Sequence, residues 1–297
     1  MRQPTRRSLL AAMTALGGVA LAGCSRLGTL NALNTLTPGD GGVRRLVDGA
    51  AFGPDPRQRL DVYAPVQPAT DNMPLPVLIF FYGGSWRFGS RTDYAFVARA
   101  FAARGFVVVL PDYRLVPQVV FPAFVDDGAA ALRWTVDNIG RHGGDPRRIG
   151  LAGHSAGAYN AMMLGLDKGY AQRVEVVPHT IRAVVGIAGP YDFLPLDTAS
   201  TIDAFGKAPD AAATQPVHFA RADAPPVLLL TGDADDTVRP RNAVALDAAL
   251  KRAGAVSELK VYPGLGHTGI LLALSKPFRG KAMVLDDAVR FLRQRLA

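Results

Sequence analysis

Cysteine is nearly absent from the 297-residue chain, which holds one, Cys24. A lone cysteine excludes an internal disulfide. Its place near the N-terminus also removes a Cys nucleophile or a Cys-based zinc site from the body of the protein. Charge is sparse: Asp, Glu, Lys and Arg make up 20% of residues against 49% hydrophobic ones. That balance excludes a disordered polar chain and is enough for a large buried core. The net charge is +8, but no run of five basic residues occurs, and Arg2, Arg6 and Arg7 supply part of the excess. Such a scattered basic surface, with no accompanying motif, is not a nucleic-acid footprint. Internal repeats and long low-complexity tracts are also missing, which excludes a repeat architecture.

What is present begins with a leader. Arg6-Arg7 precede an apolar stretch over 9–22, and Leu21-Ala22-Gly23-Cys24 ends it with small residues. Basic, then apolar, then small is the order of a secretory signal, and the stretch is too short to span a bilayer comfortably. The site resembles a bacterial lipobox, in which the cysteine becomes the lipidated first residue. Thr5-Arg6-Arg7-Ser8-Leu9-Leu10 resembles a twin-arginine export signal. These likenesses imply a signal peptide over 1–23, lipidation at Cys24, a tether over 24–42 and a folded domain over 43–297. Ser25 in second place is no inner-membrane retention signal by the same analogy. The expected location is the cell envelope, on the outer membrane facing the periplasm.

From residue 60 onward strand and helix patterns alternate. Continuous apolar runs predict strands at 60–63, 77–82, 106–110, 148–152, 183–187, 227–231 and 259–262, as in a sheet buried on both faces. Helical spacing predicts helices at 93–104, 122–139, 156–166, 241–253 and 284–296, several with Pro at the start or Gly at the stop. This alternation implies one α/β domain with a mainly parallel central sheet and helices on both faces. Residues 189–224 lack a clear period and are expected to form an insertion over the site, with room for a short helix.

Gly153-His154-Ser155-Ala156-Gly157 lies between a predicted strand and a predicted helix. In that context Gly-x-Ser-x-Gly makes a nucleophile elbow, which holds the Ser155 hydroxyl above the sheet edge with a helix N-terminus behind it. The hydroxyl needs a base. His154 adjoins it on the turn and is expected to point elsewhere, while His142, His179 and His218 lie in loops or irregular segments. His267 follows the last strand in Tyr262-Pro263-Gly264-Leu265-Gly266-His267, which brings it to the same edge as Ser155 and makes it the expected general base. An acid should orient the imidazole, and Asp233, Asp235 and Asp236 compete for that role after strand 227–231. Backbone N–H donors for an oxyanion are expected from Ala156 and from Gly83 and Gly84, in a turn directly after strand 77–82. Trp86, Phe88, Tyr159, Tyr191 and Phe193 are offered as either pocket lining or core.

Taken together, the Gly-Gly turn ending in Trp86, Pro111-Asp112-Tyr113-Arg114, Phe121-Pro122 with Asp126-Asp127, Gly143-Gly144-Asp145-Pro146, the Ser155 elbow, the Asp235 loop and His267 resemble one group. It is the α/β-hydrolase-fold bacterial esterases related to hormone-sensitive lipase and kynurenine formamidase. The resemblance covers residues 60–297. It implies acyl transfer through Ser155 on a small-molecule ester, with no metal or organic cofactor. It also selects Asp235, three residues after the glycine that ends the strand, with Asp236 as its rival. Asp126 and Asp127 are expected to bond neighbouring loops. Tyr82 stands where the group usually has a His that braces the turn, and its hydroxyl is expected to do the bracing. An amidase or formamidase would use the same residues on an amide. A lipoprotein reusing the fold for binding alone is the alternative of another class.

Overall fold

Apolar runs such as Val77 to Phe81 have no polar face to turn to water, so they stack side by side under helices. The computed structural model describes residues 40–66 and 73–297, and assembles these runs into one eight-stranded sheet. The leader, Cys24 and the tether up to residue 39 lie outside the described residues. In chain order the strands are β1 (Val43–Ala51), β2 (Arg59–Pro65), β3 (Leu75–Phe81), β4 (Val107–Pro111), β5 (Gly144–His154), β6 (Ile181–Ile187), β7 (Val227–Gly232) and β8 (Ser257–Tyr262). Their order across the sheet is β1-β2-β4-β3-β5-β6-β7-β8. The β1–β2 and β2–β4 pairs are antiparallel, and every pair from β4 to β8 is parallel.

β1 is absent from the sequence expectation. Its segment VRRLVDGAA mixes charged and small residues and is at most half-buried. It therefore carries no apolar run and no clean alternation, and it pairs on one side only, as an edge strand does.

Helices α1 (Ala95–Ala102), α2 (Ala123–Asn138), α3 (Ala156–Leu166), α4 (Lys168–Arg173), α5 (Ala199–Phe205), α6 (Arg241–Arg252), α7 (His267–Leu272) and α8 (Val284–Arg295) fill the connections and cover both faces. Every residue of α3 is buried, as expected of a helix without a polar stripe. In α8, Asp286 and Asp287 occupy the first turn and Arg293 and Arg295 the last, signs that complement the helix dipole. The 189–224 insertion contains α5 and two short 3-10 turns at Ala212–Thr214 and Pro216–Phe219. Among the described residues no helix is long and apolar enough to cross a membrane.

The topology sets up the site. β3 lies between β4 and β5, so successive connections depart to opposite sides of it, and the crevice at the C-terminal strand ends of such a switch point is where ligands bind. Register aligns Phe81 with Gly153, which sets the turn after β3 beside the elbow after β5. It also aligns Gly232 with Tyr262, which sets the Asp235 loop beside the His267 loop.

Two buried carboxylates explain further motif residues. Asp127 on α2 accepts from Gln58, from the Arg114 backbone N–H and from the Arg114 guanidinium. Asp112 accepts from the backbone and side chain of Arg91, which also donates to Asp61 on β2. Burial raises the Asp112 carboxyl above its ordinary range, against the pull of Arg91. Asp126 pairs with Arg173 on α4.

Candidate active site

The elbow is tight because the chain must leave β5 and enter α3 within one residue. Ser155 has φ 55° and ψ −123°, a left-handed backbone that disfavours any residue with a Cβ by about 1–3 kcal/mol. Its glycine neighbours are required by contact. A Cβ at Gly153 would stand 2.2 Å from the Gly157 carbonyl oxygen, and one at Gly157 would stand 2.1 Å from the Phe81 carbonyl oxygen. Strain therefore holds the Ser155 hydroxyl at the sheet edge.

His267 begins α7 rather than ending a free loop, with Gly266 just before it. Its Nδ1 lies 2.8 Å from Asp235 Oδ2 and its Nε2 lies 2.9 Å from Ser155 Oγ. A carboxylate can only accept, so Nδ1 carries the proton and Nε2 is left to accept from the Ser155 hydroxyl. The Asp235 side chain is fully buried. Its other oxygen accepts from the backbone N–H groups of Thr237 at 3.0 Å and Val238 at 2.8 Å.

The three competing aspartates thus separate by partner. Asp235 meets the imidazole. Asp233 is exposed and accepts from the Gly264 N–H at 2.7 Å, bracing the His267 loop from outside. Asp236 is also exposed and lies on the cavity wall.

That cavity, about 340 Å³, opens in front of Ser155 and Ala156, with Ser85, Trp86 and Phe193 around them. Of the aromatics offered as lining, Trp86 and Phe193 reach it. Tyr159 and Tyr191 are fully buried in the core, and Phe88 lies at the surface outside the cavity wall. The insertion contributes Asp197, Thr198, Ser200 and Thr201, so much of the wall is polar. The segment is tied down at several points. The backbone N–H groups of Tyr191 and Asp192 donate to Asn242, that of Phe193 donates to Gln215, and Arg87 pairs with Asp203.

The turn after β3 packs directly against the elbow. Gly83 is wedged so closely that a Cβ there would lie 3.0 Å from both the Ser155 Cβ and the His154 Nδ1. Gly84 adopts φ +139°, which only glycine tolerates well. Ser85 and Trp86 follow at φ 53° and 57°, two consecutive strained residues. Trp86 holds the bend through a buried ring whose Nε1–H donates to Asn160 on α3 at 3.1 Å. Ser85, with Ala156, sits on the cavity wall.

Tyr82 does brace the turn. Its hydroxyl accepts from Arg57 Nη2 at 3.0 Å, and its ring stacks on Tyr113 with centroids 4.6 Å apart. Arg57 also donates to the carbonyls of Tyr113 and Gly89. Burial pushes the Tyr82 phenol far above its ordinary range, so it stays protonated.

The sequence reading gave no role in the site to Arg57, Tyr94 or His154, and of these only His154 stood inside a motif. As expected it does not reach the cavity, but it turns to the back of His267, with ring centroids 4.9 Å apart. The other histidines lie elsewhere: His142 stacks on Trp134, and His179 lines a pocket beside Arg182 and Arg221. Among the described residues no group of three or more His, Cys, Asp or Glu is placed to hold a metal ion.

Comparison with known proteins agrees with this architecture. The BD-FAE family model matches residues 60–250, more than half of the chain. A probable isoprenylcysteine alpha-carbonyl methylesterase of Oryza sativa subsp. japonica is 30% identical over 272 residues, covering 83% of this chain and 63% of that one. Esterase LipC of Mycobacterium tuberculosis is 33% identical over 241 residues, covering 73% and 58%. The chain thus spans about three fifths of the length of these curated relatives. Among solved structures, Esterase B of Lactobacillus Rhamnosis superposes with a TM-score of 0.76 at 18% identity, covering 97% of this chain and 96% of that one, a likeness of fold. The strand order, the elbow and the family match lead to one assignment: the chain belongs to the BD-FAE family and has the α/β-hydrolase fold.

Proposed function

We propose that the protein is a carboxylic ester hydrolase that works through a Ser155 acyl-enzyme. The observation that carries this reading is the line of hydrogen bonds from Asp235 through His267 to Ser155, 2.8 and 2.9 Å long, ending at the wall of a cavity. His267 takes the Ser155 proton as the oxygen attacks the ester carbonyl, then gives it to the leaving alcohol. Water repeats the sequence on the acyl-enzyme. Asp235 holds the reactive tautomer and stabilises the imidazolium. The oxyanion is received by the backbone N–H groups of Ala156, Gly83 and Gly84. The names of the esterase relatives support the reaction class.

The test pairs labelling with turnover. A serine-directed fluorophosphonate should modify Ser155 in the wild type and leave Ser155→Ala unlabelled, with ester hydrolysis down by about 10⁴-fold or more. Matched ester and amide substrates, run in parallel, should favour the ester. An unlabelled wild type without turnover on short-chain esters would return the fold to a binding role.

We further propose, from residues 1–25 alone, export as a lipoprotein with the lipid on Cys24 and residence in the cell envelope, with the outer membrane favoured. Mass spectrometry of the membrane fraction should find an acylated N-terminal Cys24. A soluble protein with another N-terminus would overturn this.

A further inference from the structure

Behind the contact between Ser155 and His267 runs a second line of hydrogen bonds that the acyl-transfer scheme leaves unused. His154 is buried, with 4% of its surface exposed. Its Nε2 lies 3.3 Å from the backbone carbonyl oxygen of His267, and its Nδ1 lies 2.9 Å from the Tyr94 hydroxyl. The directions are determined by chemistry. A carbonyl only accepts, so His154 Nε2 carries the proton. Nδ1 is then an acceptor for the Tyr94 O–H. The line therefore runs from the residue just before α1, through the residue before the nucleophile, to the backbone of the base.

We propose that His154 is a positioning residue, a neutral imidazole of fixed tautomer that ties Tyr94, at the head of α1, to the His267 backbone and so holds the base over Ser155. The proposal rests on the reading of Ser155, His267 and Asp235 given above.

Three further observations agree with it. Gly83 has no side chain where a Cβ would press on the His154 ring and on Ser155 at once, so turn, strut and nucleophile share one packed space. The rings of His154 and His267 lie 4.9 Å apart, close enough that a charge on the first would oppose the charge His267 takes up in each turnover. Burial and His267 itself both hold His154 well below the ordinary imidazole range, and its other ring partner, Tyr94, is a neutral phenol pushed far up by burial. The strut therefore does not compete with the base for the proton.

Two measurements test the proposal on the full folded chain. Nitrogen-15 NMR of the histidine-labelled wild type should show His154 as the neutral Nε2–H tautomer throughout roughly pH 5 to 8. In kinetics, His154→Phe, which keeps a ring but no nitrogen, and Tyr94→Phe, which loses one hydroxyl, should each lower kcat, the former by about 10- to 100-fold with KM little changed. His154→Gln should recover part of that loss, because its amide nitrogen can stand in for Nε2 and donate to the His267 carbonyl. An Nδ1–H tautomer, a titration within that pH range, or a Tyr94→Phe enzyme at wild-type kcat would overturn the proposal, whether or not His154→Phe folds. A loss confined to KM would do the same. Failure of the wild type to label with fluorophosphonate would instead sink the reading of Ser155, and the NMR result would stand apart from it.

Discussion

Two imidazoles lie side by side at the same sheet edge, their rings tilted by 39°, and their surroundings are opposite. His267 has a buried carboxylate on one nitrogen and a hydroxyl at a cavity wall on the other. His154 has only a carbonyl and a phenol, and no opening to solvent. Burial disfavours the charged form of any imidazole, and a nearby opposite charge favours it. The difference shows what makes a histidine a base in this fold. Proximity to the nucleophile does not suffice, since His154 precedes Ser155 in the chain. A charged partner and access to the reacting proton decide.

The strongest way to break that contrast is to remove the charge from the front. Asp235→Asn keeps the shape and leaves His267 with neutral partners, as His154 has now. The imidazolium loses its stabilising charge and the tautomer is no longer imposed, so kcat on an ester should fall by about 10⁴-fold. Asp236→Asn and Asp233→Asn should stay within about tenfold of wild type, since the first is at the cavity wall and the second braces Gly264. Steady-state kinetics of the three variants ranks them. If Asp236→Asn proved the most damaged, the acid would be Asp236.

A smaller effect should come from the back. Gly83→Ala puts a methyl 3.0 Å from the Ser155 Cβ and from the His154 ring, closer than real Cβ contacts allow without movement. A shift of a few tenths of an ångström at the nucleophile should reduce kcat by about 10- to 100-fold, while leaving Asp235 and His267 in place. Wild-type turnover in a folded Gly83→Ala protein would mean that the turn yields and the nucleophile does not depend on it.

Much of the front was legible in the sequence, because its residues sit in motifs whose spacing reflects backbone demands. The elbow glycines admit no Cβ, and His267 follows a strand whose register fixes its edge. The apolar strands β3 to β7 were readable for a related reason: burial on both faces leaves a continuous hydrophobic run. The back was not legible. Tyr94 precedes an ordinary helix, and Arg57 stands in a polar turn before β2, so neither carries a pattern that points to the site. The Gly-Gly turn was visible, but which of its N–H groups faces the cavity depends on the φ angles of Gly84, Ser85 and Trp86. A glycine pair does not specify those. Edge strand β1 escaped because a half-exposed strand with three charged residues has no hydrophobic signature.

The smallest effect sharpens the contrast without touching catalysis. His154 in the folded protein has its pKa well below the ordinary value, chiefly through burial, whereas in the unfolded chain it titrates near 6.5, about the reference value. As pH falls through that value the unfolded chain binds a proton that the folded one refuses. Stability therefore declines with acidification, by at most about 1.4 kcal/mol per pH unit for this one group, and the contribution is fully present above the unfolded pKa. Asp145 and Asp287, whose folded pKa values are depressed, add their loss only below about pH 4, where unfolded aspartates take up protons. The two windows are thus separate. Between about pH 7 and about pH 5.5, urea unfolding of the wild type should lose about 1 kcal/mol through His154. His154→Gln should lack that increment, whatever its stability at neutral pH. Equal pH dependence in the two proteins would show that His154 is protonated as readily folded as unfolded, and the contrast between the two imidazoles would then have to rest on the carboxylate alone.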